Sequence, residues 1–295
     1  MSIRVAYKTD YGISYEGKIE DFISSKKTKH LKGTANLIFT SPPFPLNRKK
    51  KYGNLNGQEY IDWITKICKD LVEFLAKDGS LVIEVGNSWE SGHPVMSTLS
   101  IEALLSILKE AKLYLCQQFV WYNTAKLPSP AQWVNIDRVR VKDSFTHIWW
   151  MSKTPRPKAN NRKVLKEYSS SMKKLIETGK YNAGKRPSEH DISANGFSMN
   201  NNGAIPSNVL VSANTQSSSK YLEYCKQNDY ELHPARMPID IPNFFIKMLT
   251  EENDLVIDPF GGSNTTGESS EALKRRWISV EANKKYVLGS KGRFL

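Results

Sequence analysis

Apolar positions along the chain recur with two periods. "ANLIFT" (35–40) is a short apolar run between polar flanks and predicts a buried strand. From 57 to 79, Ile61, Ile64, Cys68, Leu71, Val72 and Leu75 share one helical face, which predicts a helix with Gly79 at its C-terminal cap. "SLVIEVG" (80–86) predicts a strand, "SIEALLSILKEAKL" (100–113) a helix with Ser100 as N-cap, and "YLCQQFVWY" (114–122) another strand. Strands alternating with helices predict an α/β fold: a largely parallel sheet covered on both faces.

The pattern breaks at residue 123, where Pro and Asn become frequent. "FTHIWWMS" (145–152) predicts one more strand, placed to close the sheet as an antiparallel hairpin. Residues 153–231 are polar, basic and weakly periodic, and read as an irregular contact subdomain or a disordered insert. Alternation returns with a helix at 241–251, a strand at 254–260, a helix at 265–276 and a strand at 277–283; there is no internal repeat. The expected organisation is a first half-domain at 1–130, an inserted region at 131–231 that includes the sheet-closing strand, and a second half-domain at 232–295.

Charge narrows the partners. The 295 residues carry a formal net charge of +12, with basic residues clustered in "NRKKKYG" and in the middle of the chain. Clustered cations suit a polyanion, most often nucleic acid. The N-terminal stretch has no apolar core of a signal peptide, and no apolar run has the length of a membrane span. Three dispersed cysteines form neither a disulfide framework nor a metal cluster, which fits a reducing cytoplasm.

"DLVIDPFGGSNTTG" (254–267) reads as strand, tight loop and helix. Gly261 and Gly262 allow close backbone approach, and the following helix aims its N–H groups at the loop. The loop lacks the lysine of a phosphate loop and is not G-x-G-x-x-G, which counts against ATP and dinucleotides. Glu281, at the tip of the next strand, is placed to accept hydrogen bonds from ribose hydroxyls. A nucleoside cofactor without a diphosphate fits these features. S-adenosyl-L-methionine is such a cofactor, with its sulfonium and amino-acid tail near Asp258 and the glycines.

At the other end of the chain, "TSPPF" (40–44) ends the first strand with two prolines that carry no N–H. "TSPPF" followed by "DPFGGSNTTG" resembles the amino-methyltransferases of DNA, in the permuted order of the β-class. Together with "AKLPSPAQWVN", "RVRVKDSFTHIWWMSKT", "KRPSEHDI", "HPARMP" and "FFIKMLTE", the chain resembles the PvuII-type cytosine-N4 methyltransferases over nearly its whole length. One departure is Glu189, where the family pattern has Gly.

The resemblance implies a Rossmann-like S-adenosylmethionine-dependent methyltransferase sheet, circularly permuted, with an inserted target-recognition region. It implies catalysis by Ser41, Pro42, Pro43 and Phe44. Ser41 Oγ and the Pro42 carbonyl would accept the two N–H groups of a cytosine amine, held still by prolines with fixed φ. Phe44 would stack on a base flipped out of the duplex. Cofactor contacts are expected from Tyr11, Thr40, Asp258, Phe260, Gly261, Gly262, Ser263, Asn264, Thr265 and Glu281. Base and DNA contacts are expected from Tyr122, Lys49, Lys50, Lys51, Arg186, Ser188 and His190, with Trp121 turned into the core. His233 reads as structural. The sequence points to no proton acceptor for the reaction.

Cysteine-dependent C5 methylation is disfavoured, because no cysteine follows a proline. An adenine-N6 enzyme, a catalytically silent DNA-binding regulator and an RNA methyltransferase remain as alternatives. The expected partners are double-stranded DNA and a cognate restriction endonuclease acting on the same site, with no membrane.

Overall fold

A computed structural model describes residues 3–44, 57–179, 184–185, 187–189, 191–192, 199–215 and 219–295. The described strands are β1 (Arg4–Lys8), β2 (Gly12–Glu16), β3 (Ala35–Thr40), β4 (Leu75–Val85), β5 (Tyr114–Tyr122), β6 (Phe145–Ser152), β7 (Gly184–Lys185), β8 (Asp191–Ile192), β9 (Val209–Val211), β10 (Leu255–Asp258) and β11 (Arg276–Glu281). The helices are α1 (Ile19–Ser24), α2 (Gly57–Val72), α3 (Leu99–Glu110), α4 (Ser170–Thr178), α5 (Lys220–Gln227), α6 (Asp240–Leu249), α7 (Thr265–Ala272) and α8 (Lys284–Ser290). Nine strands form one sheet in the order β1-β2-β11-β10-β3-β4-β6-β5-β9. The run from β2 to β4 is parallel, and β6 enters antiparallel between β4 and β5. No described helix is long and apolar enough to cross a membrane.

Strand alternation divides the core into two layers. Ile38, Leu81, Ile83, Ile257 and Val280 pack against α1, α2 and α3 through Phe22, Ile64, Cys68 and Ile107. The alternate residues face α6: the Phe39 and Phe245 rings lie 5.6 Å apart and the Phe119 and Phe245 rings 5.0 Å apart. Both faces are therefore covered, as the alternation predicts.

Several expectations shift. Helix α2 stops at Val72, and Gly79 lies within β4 rather than at a helix cap. There β3 and β4 lose register, and a Cβ on Gly79 would lie 2.7 Å from the Ala35 carbonyl oxygen. Close approach of two strands, not a helix end, demands that glycine. Helix α3 begins at Leu99, so Ser100 is buried inside its first turn. The N-terminal strands β1 and β2 were not expected; β1 is a short, mostly exposed edge strand with little apolar signal. Within the weakly periodic stretch, β9 adds a parallel edge to β5 and α5 is capped by Ser219.

The chain divides into two compact units, one of residues 1–159 with 208–295 and one of residues 160–207. In the second, Ser169 caps α4 and Gly179 ends it in the left-handed conformation. The Lys166–Ala204 bridge closes the unit, and β7 and β8 form a short hairpin. Glu189, in the turn of that hairpin, has φ 62°, a conformation that suits glycine.

Candidate active site

The parallel strands end along one edge. After β10 the chain turns to α7 on one face, and after β3 it reaches α2 on the other, so a crevice opens between the two strand ends. The resulting cleft has a volume of about 580 Å³.

One half is built by β10, its loop and α7. The Asp258 carboxylate accepts hydrogen bonds from Thr40 Oγ1 (2.8 Å), Thr266 Oγ1 (2.7 Å) and the Phe260 N–H (3.1 Å). It thus ties β3, the loop and α7 together at the cleft floor. Burial raises its pKa, against these three donors. Gly261 admits no side chain, because a Cβ would lie 2.0 Å from Ser279 Oγ. Gly262 has φ 51°, and its N–H donates to Glu281 Oε2 at 2.9 Å. Glu281 Oε1 accepts from the Asn283 N–H at 2.7 Å. Burial raises the Glu281 pKa, the two N–H donors lower it, and the Asp258 charge adds to the rise. His233 faces the loop, and a Cβ on Gly262 would lie 3.0 Å from its Nε2.

The other half is built by β3, β4 and the start of β6. Ser41 Oγ donates to Glu84 Oε2 at 2.6 Å. Glu84 is a buried carboxylate in a strand otherwise apolar at this end. Burial pushes its pKa up, while the Ser41 and Thr146 hydroxyls and the Lys126 charge pull it down. A raised carboxylate beside a hydroxyl is a competent proton acceptor. Phe44 packs on the backbone at Gly86, where a Cβ would lie 3.2 Å from its ring. Pro42, Pro43, Trp121 and Phe145 complete a largely apolar surround.

The family model for DNA methylases (N6_N4_Mtase) matches residues 35–291. The chain belongs to the DNA methylase family. It is 44% identical over 292 residues to the type II methyltransferase M.PvuII of Proteus hauseri, covering 98% of this chain and 85% of that one. The solved structure of PvuII DNA methyltransferase (cytosine-N4-specific) matches with a TM-score of 0.79 at 38% identity, covering 99% of this chain and 89% of that one. The M1.HpyAVI–SAM complex matches with a TM-score of 0.55 at 20% identity over 95% of this chain and 98% of that one, a likeness of fold.

In this DNA methylase the cleft gathers Ser41, Pro42, Pro43, Phe44, Asp258, Phe260, Gly261, Gly262, Ser263, Thr265 and Glu281. Other expected site residues lie elsewhere. Tyr11 sits at the opposite end of the sheet, where its carbonyl accepts from the Trp277 N–H at the start of β11. The residues after β2, Gly17 to Glu20, line the cleft instead, because β2 runs parallel to β11. Thr40 is buried and supports Asp258 rather than lining the cleft. Asn264 is also buried: its Oδ1 caps α7 at the Gly267 N–H and its Nδ2 donates to Tyr7 Oη. Tyr122 is 39% exposed and outside the cleft, whereas Trp121 lines it and donates to the Ser212 carbonyl. The alternation of β5 turns Trp121, not Tyr122, to the side that borders the site.

Ser188 is exposed in the β7–β8 turn. Lys49, Lys50, Lys51, Arg186 and His190 lie outside the described residues. Sequence reasoning missed Glu84, Lys126, Thr146 and the cleft position of His233. Glu84 had a signal, a lone carboxylate in the apolar run "SLVIEVG". Lys126 and Thr146 had none without the register of β4, β5 and β6, and His233, in the motif "HPARMP", is placed by packing against Gly262 and Tyr286.

Proposed function

We propose that this DNA methylase transfers a methyl group from S-adenosylmethionine to the exocyclic N4 amine of a cytosine flipped out of duplex DNA. The observation that carries the reading is the Ser41–Glu84 hydrogen bond, set in the same cleft as the Gly261–Gly262 loop. The cleft suits the cofactor: Gly261 and Gly262 line it without side chains, and Glu281 offers carboxylate oxygens at the end of β11. When bound, the cofactor supplies a methyl group activated by its sulfonium charge.

The protein's part is to position the amine and take its proton. An exocyclic amine is a weak nucleophile because its lone pair is shared with the ring. Ser41 Oγ donates its own hydrogen to Glu84, so its lone pairs are free to accept one amine N–H. The Pro42 carbonyl accepts the other. As N4 gains its methyl group it must lose a proton. That proton passes to Ser41 Oγ as the serine hydrogen moves to Glu84 Oε2, and the carboxylate ends neutral. Burial favours the neutral acid, which makes Glu84 the stronger acceptor. Phe44 and Trp121 supply apolar surface for the base, and Asp258, Gly261, Gly262 and Glu281 hold the cofactor.

The unit at 160–207, within the wider region 131–231, contributes target recognition, with Ser188, Arg186 and His190 as base-reading side chains and Lys49 to Lys51 on phosphates. The enzyme works in the cytoplasm on nucleoid DNA, protecting the site of a cognate restriction endonuclease, as M.PvuII's description as a type II methyltransferase suggests by likeness. The test is to incubate protein, labelled S-adenosylmethionine and duplex DNA, digest to nucleosides and identify the product by mass spectrometry. N4-methylcytosine is expected. N6-methyladenine moves the target to adenine, and unlabelled DNA overturns the reading.

A further inference from the structure

The loop between β5 and β6, residues 123–144, has both ends at the active-site cleft: Asn123, Lys126 and Ser144 line it. Its neck is closed by the Asn123 N–H donating to the Ser144 carbonyl at 2.8 Å. Yet the loop carries large apolar side chains into solvent. Leu127 is 79% exposed, Ile136 68%, Val139 62% and Val141 87%. Four exposed apolar side chains on one loop whose ends line the site favour an interaction surface. Cations lie among them: Lys126, Arg138, Arg140 and Lys142 against Asp137 and Asp143. A surface both apolar and basic suits a polyanion with a hydrophobic interior, and duplex DNA with its stacked bases is that partner.

Val141 is the best-placed of these side chains. The segment around it is pinned on both sides. The Arg140 guanidinium stacks 3.4 Å over the Trp89 ring, and Asn87 Nδ2 donates to Asp143 Oδ1 at 2.8 Å and to the Phe145 carbonyl at 3.3 Å. A short apolar side chain held out between two anchors is preorganised to push, where a loose one would fold back. Resting on the proposed function, we infer that Val141 is a wedge that enters the duplex and fills the gap left by the flipped target base. In DNA-bending proteins apolar wedges enter the duplex between base steps, and flipping costs a few kcal/mol that a wedge here helps to offset.

The experiment uses a duplex carrying the site mapped by product analysis, in two forms: fully paired, and with the target cytosine mispaired. Single-turnover methyl transfer is measured for the wild type, Val141→Ser and Val141→Leu. Val141→Ser should slow transfer on the paired duplex by about tenfold or more, because the cost of opening the pair is no longer shared. On the mispaired duplex its rate relative to the wild type should recover, since the pair is already open. Val141→Leu, which keeps the bulk, should retain the paired rate. Cofactor affinity and melting temperature should be unchanged, given the exposure of the side chain. An unaltered paired rate for Val141→Ser, or the same slowing on both duplexes, overturns the wedge while leaving the chemistry intact. A wild type inactive on both overturns the proposed function and the wedge with it.

Discussion

In the proposed relay, replacing Glu84 by Gln removes the proton acceptor and little else. The side chains are nearly isosteric, and the amide oxygen of the introduced glutamine still accepts the Ser41 hydroxyl that now reaches Glu84 at 2.6 Å. A positioned general base contributes roughly 10²–10⁴-fold to rate, so Glu84→Gln should lose about 2.7–5.4 kcal/mol of transition-state stabilisation. Stability should move the other way. Burial raises the folded-state pKa of Glu84 above its unfolded value. Between those two values the folded protein binds more protons than the unfolded one, so stability falls as pH rises through the window. Above its raised folded-state pKa the wild type carries the full cost of a buried carboxylate, and there Glu84→Gln should melt at the same or a higher temperature. Below the ordinary carboxylate range that advantage should vanish. Activity has the matching signature: the wild-type rate should fall on the acid side with a midpoint above the ordinary carboxylate range, and Glu84→Gln should lack that limb. Single-turnover transfer of labelled methyl across pH, with thermal melts on the same samples, measures both. A Glu84→Gln enzyme at wild-type rate, or one that keeps the acid limb, would refute the relay.

Ser41→Ala should cost a similar factor, and Ser41→Ala with Glu84→Gln should be little worse than either alone, since the two act as one unit; the double-mutant rate decides it. Gly261→Ala should weaken cofactor binding in calorimetry and lower the melting temperature, because its Cβ would lie 2.0 Å from Ser279 Oγ and the loop or that side chain must shift. Replacing Lys49, Lys50 and Lys51 by Ala should weaken binding to all DNA sequences alike and lower the slope of log affinity against log salt by about 1 per lysine, read by fluorescence anisotropy. Glu189→Gly should stabilise the protein by about 1 kcal/mol in denaturant melts, by relieving a left-handed backbone at φ 62°.

Much of this protein was legible in one dimension. Helix and strand periods, read locally, placed β3, β5, β6, α6, α7, β10 and β11 to within a few residues, because the side chains that set each period are neighbours in sequence. "SPPF" and "DPFGG" were legible for the same reason: each is a strand end whose chemistry is written in consecutive residues. What needed three dimensions was every choice between faces and ends. Tyr11 and Gly17 flank one short strand, and only the parallel pairing of β2 with β11 decides which of them meets the cleft. Trp121 and Tyr122 are adjacent, and the position of β5 in the sheet decides which borders the site. The Ser41–Glu84 pair joins the ends of two neighbouring strands. Its serine was named by motif, but its carboxylate acquires meaning only when the sheet brings it within hydrogen-bond reach and burial raises its pKa. Local sequence sets the elements and the reactive groups; register, which is a property of the packed sheet, decides which of those groups meet.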